Sequence, residues 1–285
     1  MVLGDNMNKD GFVAALDQSG GSIERALLLY GVTNLDGNLF EKIHDMRVRV
    51  LKSLDYSKIN GVILFKDEVD KKIDGENTIV YLLDRNVVSF VKIDKGLEDK
   101  KNGVSLMKNI PNLEDTLDFL KGKNVFGTKM RSVIYENNNE GIRDLVNQQF
   151  SIAKAVLKHG LVPIIEPEVD INALDKRECE ITLKREIDKN LRLLGNDKII
   201  LKLTLPSEDN FYFDYISNKN VLKVLALSGG YSKGVACRKL SKNKGVSASF
   251  SRALLEGLNV NQSYYEFKRI LDKNVHDIYV ASIDK

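Results

Sequence analysis

The sequence has no tryptophan, four prolines, two cysteines and three histidines in 285 residues. Each scarcity excludes something. Cys179 and Cys237 lie far apart, which rules out a disulfide framework and points to a reducing compartment. His44, His159 and His276 are widely separated and show no metal-ligand spacing. A zinc hydrolase or zinc-dependent lyase is therefore not expected, and no metal is. No apolar run approaches the roughly 18 residues that span a bilayer. The first ten residues, Met1 to Asp10, lack the apolar core of a signal peptide. The expectation is a cytoplasmic protein without a membrane partner. Neither sign of charge dominates, with 43 basic residues against 40 acidic and no basic block, so nucleic acid is not an expected partner. Linker-like and low-complexity stretches are also missing. The chain, 1–285, is expected to form one domain, and it is long enough to close a large core.

What is present is alternation. Short apolar runs cover residues 11–18, 61–66, 87–95, 125–131, 161–169, 198–206, 221–228 and 246–252. Segments with helical spacing separate them. The clearest is 141–160, where Ile142, Leu145, Val146, Gln149, Phe150, Ala153, Val156 and Leu157 form one stripe and Gly160 ends it. Residues 39–54, 116–121, 184–194 and 264–271 read the same way. Strand alternating with helix predicts parallel β/α units, and eight units in this length predict a (β/α)8 TIM barrel. An open doubly wound sheet would want a dinucleotide-type glycine turn after its first strand. Ser19-Gly20-Gly21-Ser22 lacks that spacing.

Barrel enzymes carry their chemistry at the C-terminal ends of the strands. Here those ends bear Asp17, Lys95, Lys129 with Arg131, Glu166 with Glu168, and Lys202. Alternation in the sixth run puts Ile199, Leu201, Leu203 and Leu205 on one face, and Ile200, Lys202 and Thr204 on the other. Burial disfavours an ammonium, so Lys202 is expected to give up its proton more readily than a free lysine, with Lys129 adding to the effect. A neutral amine adds to a ketone, and loss of water leaves an iminium that draws electrons from an adjacent carbon–carbon bond. Glu166 can serve as the acid and base this needs if its neighbours raise its pKa, and Asp17 can orient hydroxyls. The other reading of Lys202 is a buried stem whose charge reaches water or a carboxylate.

Ser228-Gly229-Gly230 reads either as a plain turn or, after a seventh barrel strand, as an anion cradle completed by Ser251 and Arg252. Ser19, Ser22 and Arg25 read either as a second anion site or as a solvated first helical turn. Lys95 is a site residue or an ordinary strand exit.

In the order of the chain, Gly-Phe-Val-Ala-Ala-Leu-Asp-Gln-Ser-Gly-Gly-Ser (11–22), Gly-Val-Ile-Leu-Phe (61–65), Val-Lys-Ile-Asp-Lys-Gly (91–96), Phe-Gly-Thr-Lys-Met-Arg (126–131), Leu-Val-Pro-Ile-Ile-Glu-Pro-Glu (161–168), Leu-Lys-Leu-Thr-Leu-Pro (201–206), Leu-Ser-Gly-Gly (227–230) and Ala-Ser-Phe-Ser-Arg-Ala-Leu (248–254) follow one another. This set resembles the class I, Schiff-base-forming fructose-1,6-bisphosphate aldolases, and among them the short bacterial form. The resemblance implies Lys202 as the Schiff-base lysine and Glu166 as proton acceptor and donor. It implies that Asp17, Lys129 and Glu168 complete the catalytic cluster. Lys95 and Arg131 would lie near the second phosphate, and Ser228, Gly229, Gly230, Ser251 and Arg252 at the first. Ser19 and Ser22 would meet the far end of the substrate. No cofactor beyond the covalent Schiff base is implied, and a homo-oligomer, tetramer or dimer, is. Two departures stand out. Animal-type members end in a tail tyrosine that helps protonate the enamine; this sequence ends Ile283-Asp284-Lys285 and leaves that step unassigned, Tyr279 included. The basic residue of the first helix falls at Arg25, one place earlier than in the animal enzymes.

Overall fold

The computed structural model describes residues 3–285; residues 1 and 2, the start of the segment read as lacking a signal peptide, lie outside them. All eight apolar runs form strands: β1 (Phe12–Leu16), β2 (Ile59–Phe65), β3 (Val88–Lys92), β4 (Gly127–Ile134), β5 (Val162–Val169), β6 (Ile199–Thr204), β7 (Val221–Leu227) and β8 (Ser247–Ala248). They pair in that order, each parallel to the next. Between β8 and β1 the ring is nearly closed. Ala15 N–H donates to the Phe250 carbonyl at 3.3 Å, and Ser247 Oγ donates to the Gly11 carbonyl at 2.7 Å. The eight-stranded barrel expected from the alternation is the observed architecture.

The connecting helices are α1 (Gly21–Leu29), α2 (Leu39–Ser53), α3 (Thr78–Leu83), α4 (Leu113–Gly122), α5 (Asn139–Lys158), α6 (Lys176–Leu191), α7 (Lys233–Leu240), α8 (Arg252–Leu255) and α9 (Tyr264–Ile283). Local chemistry sets several of their ends. Asn138 accepts from the Gly141 N–H at the start of α5. Ser263 and Glu266 form a reciprocal capping box at the start of α9. Helix α9 runs a further three turns beyond the expected 264–271, because Asn274, Val275, Ile278, Ala281 and Ser282 continue its buried stripe. Helix α6 starts earlier than expected, and β8 is shorter, giving way to the α8 turn. A small hairpin, Lys72–Ile73 with Glu76–Asn77, and a short strand, Val104–Ser105, antiparallel to the end of β4, are additions to the expected scheme.

Strand alternation sorts the core into two. Outward residues such as Leu16, Leu64, Val91, Met130, Ile165, Leu201 and Ala226 pack against the helices. Inward, Val13, Ala15, Ile63, Val88, Phe90, Ile164, Ile200 and Leu225 fill the barrel from the N-terminal side, with Met7 of the first 3-10 turn closing the floor. Further along the same inward faces the residues become charged. The apolar plug thus stops where the mouth begins.

Candidate active site

Four charged side chains alternate in sign across the mouth. Lys129 Nζ lies 3.0 Å from Asp17 Oδ2 and in close contact with Glu166 Oε2. The other Glu166 oxygen, Oε1, lies 3.1 Å from Lys202 Nζ. Lys129, Glu166 and Lys202 are 3%, 3% and 4% exposed, so all three work in a nearly dry place. The strand register brings them there. Lys129 pairs with Ile164 and Arg131 with Glu166, so β4 and β5 deliver their charges to adjacent levels. Lys202 comes from β6, two residues beyond the inward Ile200.

The electrostatics differ from expectation at Glu166. Burial pushes its carboxyl up, but Lys129 and Lys202 outweigh burial and hold it below its ordinary value; Asp17 opposes them and Arg131 assists. The condition attached to Glu166, that its neighbours raise it, is not met: the carboxylate is fixed between two amines rather than left among apolar walls. Lys202, accordingly, faces a carboxylate and is not surrounded by cations alone. Burial also pushes Asp17 up, and Lys129 and Lys202 bring it far below the carboxylate range. Lys129 is driven down by burial and further up by Asp17 and Glu166, so it stays a cation.

Arg131 and Glu168 occupy the next inward positions and pair at 2.5 Å (Nε to Oε2). Burial lowers Arg131, and Glu168 more than reverses this. Lys95 lies exposed at the strand exit, whereas Lys92 turns inward beside Lys129, its partner in register. Lys92 Nζ reaches Ser19 Oγ at 2.6 Å and Asp94 Oδ1 at 3.0 Å. The signal was in the sequence: Val88, Phe90 and Lys92 share the inward face by strict alternation. The motif Lys-Ile-Asp-Lys holds two lysines, and the structure places the first in the mouth.

Ser19 thus faces the cluster through Lys92. Ser22 does not; it is exposed, and its hydroxyl donates to the Ser19 carbonyl at 2.7 Å and accepts the Ser19 N–H at 2.8 Å, starting α1. Ser251 Oγ accepts from Gln18 Nε2 at 2.9 Å, a tie between β1 and the β8 exit that sequence alone does not reveal. Ser228 is buried at the end of β7, and Gly229 and Gly230 follow with φ of 59° and 120°. The space a Cβ would fill at Gly230 is 3.4 Å from Arg252 Nη2, which brings the glycine turn and the arginine together. Burial and the nearby Arg25 lower Arg252, and Arg131 adds to this repulsion. Clustered guanidinium groups beside free glycine backbone suit an anion. Gly230→Ala strains a backbone that L-residues avoid, presses on Ile171 Cδ1 at 3.3 Å and puts a methyl against Arg252 Nη2. It should raise KM for a phosphorylated substrate about tenfold, the loss of one charge-assisted hydrogen bond, with a smaller change in kcat; steady-state kinetics checks this.

The C-terminal mouth of the (β/α)8 barrel thus encloses an amine–carboxylate chain beneath a cationic rim, an arrangement suited to an anionic ligand beside a potential nucleophile. Residues 6–206 match the family model described as glycolytic, fructose-bisphosphate aldolase class-I, and the chain belongs to that family. The class is metal-independent, works through a Schiff base and binds sugar phosphates. A co-crystal structure of fructose-bisphosphate aldolase from Plasmodium falciparum, in complex with TRAP and a small-molecule inhibitor, matches with a TM-score of 0.76, covering 98% of this chain and 93% of that one at 17% identity, a likeness of fold. A sugar phosphate isomerase/epimerase from Parabacteroides distasonis ATCC 8503 matches at a TM-score of 0.48 and 10% identity, over 96% of this chain and 95% of that one, too loosely to bear on function. Among the described residues no helix is long and apolar enough to cross a membrane, and no cluster of three or more His, Cys, Asp or Glu has the geometry to hold a metal ion.

Proposed function

We propose that the chain is a class I fructose-1,6-bisphosphate aldolase of the short bacterial type. It cleaves the sugar bisphosphate reversibly to dihydroxyacetone phosphate and glyceraldehyde 3-phosphate, as in glycolysis and gluconeogenesis, in the cytoplasm and as a homo-oligomer. The observation that carries this reading is the 3.1 Å approach of Lys202 Nζ to Glu166 Oε1 inside a dry barrel mouth.

The contact allows one proton to serve twice. Glu166, ionised at rest, takes a proton from Lys202, which frees the amine as nucleophile and arms the carboxyl as acid in the same step. The amine lone pair attacks the C2 ketone, the C=O π pair moves to oxygen, and a proton shifts from nitrogen to oxygen to give the carbinolamine. Glu166 returns its proton to that hydroxyl, the C–O bond breaks, water leaves, and an iminium remains on Lys202. A carboxylate, Glu166, then takes the C4 hydroxyl proton. The C3–C4 bond breaks, its electrons flow to the iminium, and the aldehyde departs from an enamine. Lys129 keeps Glu166 and Asp17 in place, with Glu168 and Arg131 above, and Asp17 orients the substrate hydroxyls. Ser228, Gly229, Gly230, Ser251 and Arg252 hold the C1 phosphate. Lys92, Ser19 and Arg131 face the other end.

Incubation with dihydroxyacetone phosphate and borohydride tests the reading. A stable adduct mapped by mass spectrometry to Lys202, with loss of activity, is the expected result. No adduct, or one on another lysine, defeats it. Activity should also survive EDTA, and inactivation by the chelator would point to a metal lyase. Tagatose 1,6-bisphosphate differs at one carbon, and comparing kcat/KM for the two sugars decides the preference.

A further inference from the structure

Arg47 and Glu68 form an ion pair behind the mouth, each side chain 1% exposed, with Arg47 Nη1 donating to Glu68 Oε1 at 2.8 Å. Arg47 lies on the buried face of α2, and Glu68 lies in the turn after β2. Two charges taken fully out of water seldom add stability over apolar residues of the same size, so the pair calls for a geometric reason. The second prong of the guanidinium supplies one. Arg47 Nη2 donates to the main-chain carbonyl of Gln18 at 2.5 Å. On the other side, Glu68 is held by His44 Nδ1 at 2.6 Å and approached by Lys71 at 3.8 Å.

Gln18 is the hub of the segment that follows β1. Asp17 precedes it and bonds Lys129, Ser19 follows it and bonds Lys92, and its own side chain donates to Ser251. We propose that Arg47 is a positioning residue: with its plane set by Glu68, it pins the Gln18 carbonyl and so fixes the Asp17–Ser19 segment against the cluster. This rests on the aldolase reading. In that chemistry Lys202 and Glu166, on β6 and β5, make the Schiff base, whereas the Asp17–Ser19 segment just after β1 meets the substrate beyond the bond that breaks. Releasing Arg47 therefore slows cleavage and spares the amine chemistry. A lysine cannot replace it, because only the planar fork spans Glu68 and the Gln18 carbonyl at once.

The test compares wild type, Arg47→Lys and the double variant Arg47→Met/Glu68→Leu, which removes both charges and strands neither. Thermal unfolding, borohydride trapping of dihydroxyacetone phosphate on Lys202, and kcat for bisphosphate cleavage are measured. Both variants should unfold cooperatively and trap within about twofold of wild type, while cleavage falls about 10- to 100-fold, the scale of a misplacement near 1 Å. If the double variant does not fold, Arg47→Lys alone carries the comparison. Trapping and cleavage falling in parallel, or cleavage unchanged, overturns the inference while wild-type trapping keeps the aldolase reading intact. Absence of trapping in the wild type sinks both.

Discussion

Lys202→Met should leave a folded barrel with no borohydride-trappable adduct and with cleavage reduced by about four to six powers of ten, the range seen when a covalent nucleophile is removed. The fold tolerates the change because the lysine stem is already packed at a buried position, and methionine fills a similar volume. Its loss also leaves Glu166 with a cation, since Lys129 remains on Oε2. The variant should thus still unfold cooperatively as a folded protein while losing chemistry, with Lys129 continuing to bind both Asp17 and Glu166. Residual activity above roughly one-thousandth of wild type in a clean preparation, or persistent trapping, would show that the nucleophile is elsewhere.

Lys129→Met should cost more stability than Lys202→Met, because Asp17 loses its bonded partner and Glu166 one of two. Removing it leaves the carboxylates of Asp17 and Glu166 in the same dry mouth with Lys202 as the remaining central cation. Stranding buried charge costs about 3–5 kcal/mol, so a large drop in denaturant midpoint at neutral pH is expected along with loss of activity. The pH dependence has a definite sign. In wild type the Asp17 and Glu166 carboxyls lie below their ordinary values of 3.8 and 4.5. Their stabilisation is complete above those values and fades as pH falls through the lowered ones. Lys129 lies above its ordinary 10.5, so its contribution is complete below 10.5 and fades as pH rises through the higher folded value. In the variant, burial is less opposed and the two carboxyls take up protons more readily. The stability gap between variant and wild type should therefore be widest near pH 7 and narrow below about pH 5. Urea titrations across that range measure it, and a gap that is flat or widens in acid contradicts the paired-charge account.

The sequence was sufficient for the barrel because each strand carries a period-two code that burial must respect. Ile199, Leu201, Leu203 and Leu205 could pack only against helices, which turned Ile200, Lys202 and Thr204 inward. The same code contained Lys92, through Val88 and Phe90, whereas Lys95, past the end of the strand, falls outside it. Side-chain partnerships carry no such period. Nothing in the sequence says that Glu166 sits between two amines, that Gln18 reaches Ser251, or that Arg47 on an otherwise ordinary amphipathic helix points a guanidinium at the β1 exit.

By itself, the order of apolar and polar residues determined which side of every strand faces the barrel interior and where along it charge replaces hydrocarbon. Only the closed ring decided which charge meets which, because β1, β4, β5 and β6 are far apart in the chain and their side chains converge only when the strands tilt around a common axis. The direction of the Glu166 shift followed from that convergence, since distances between charges, and not their identities, set whether burial or attraction prevails.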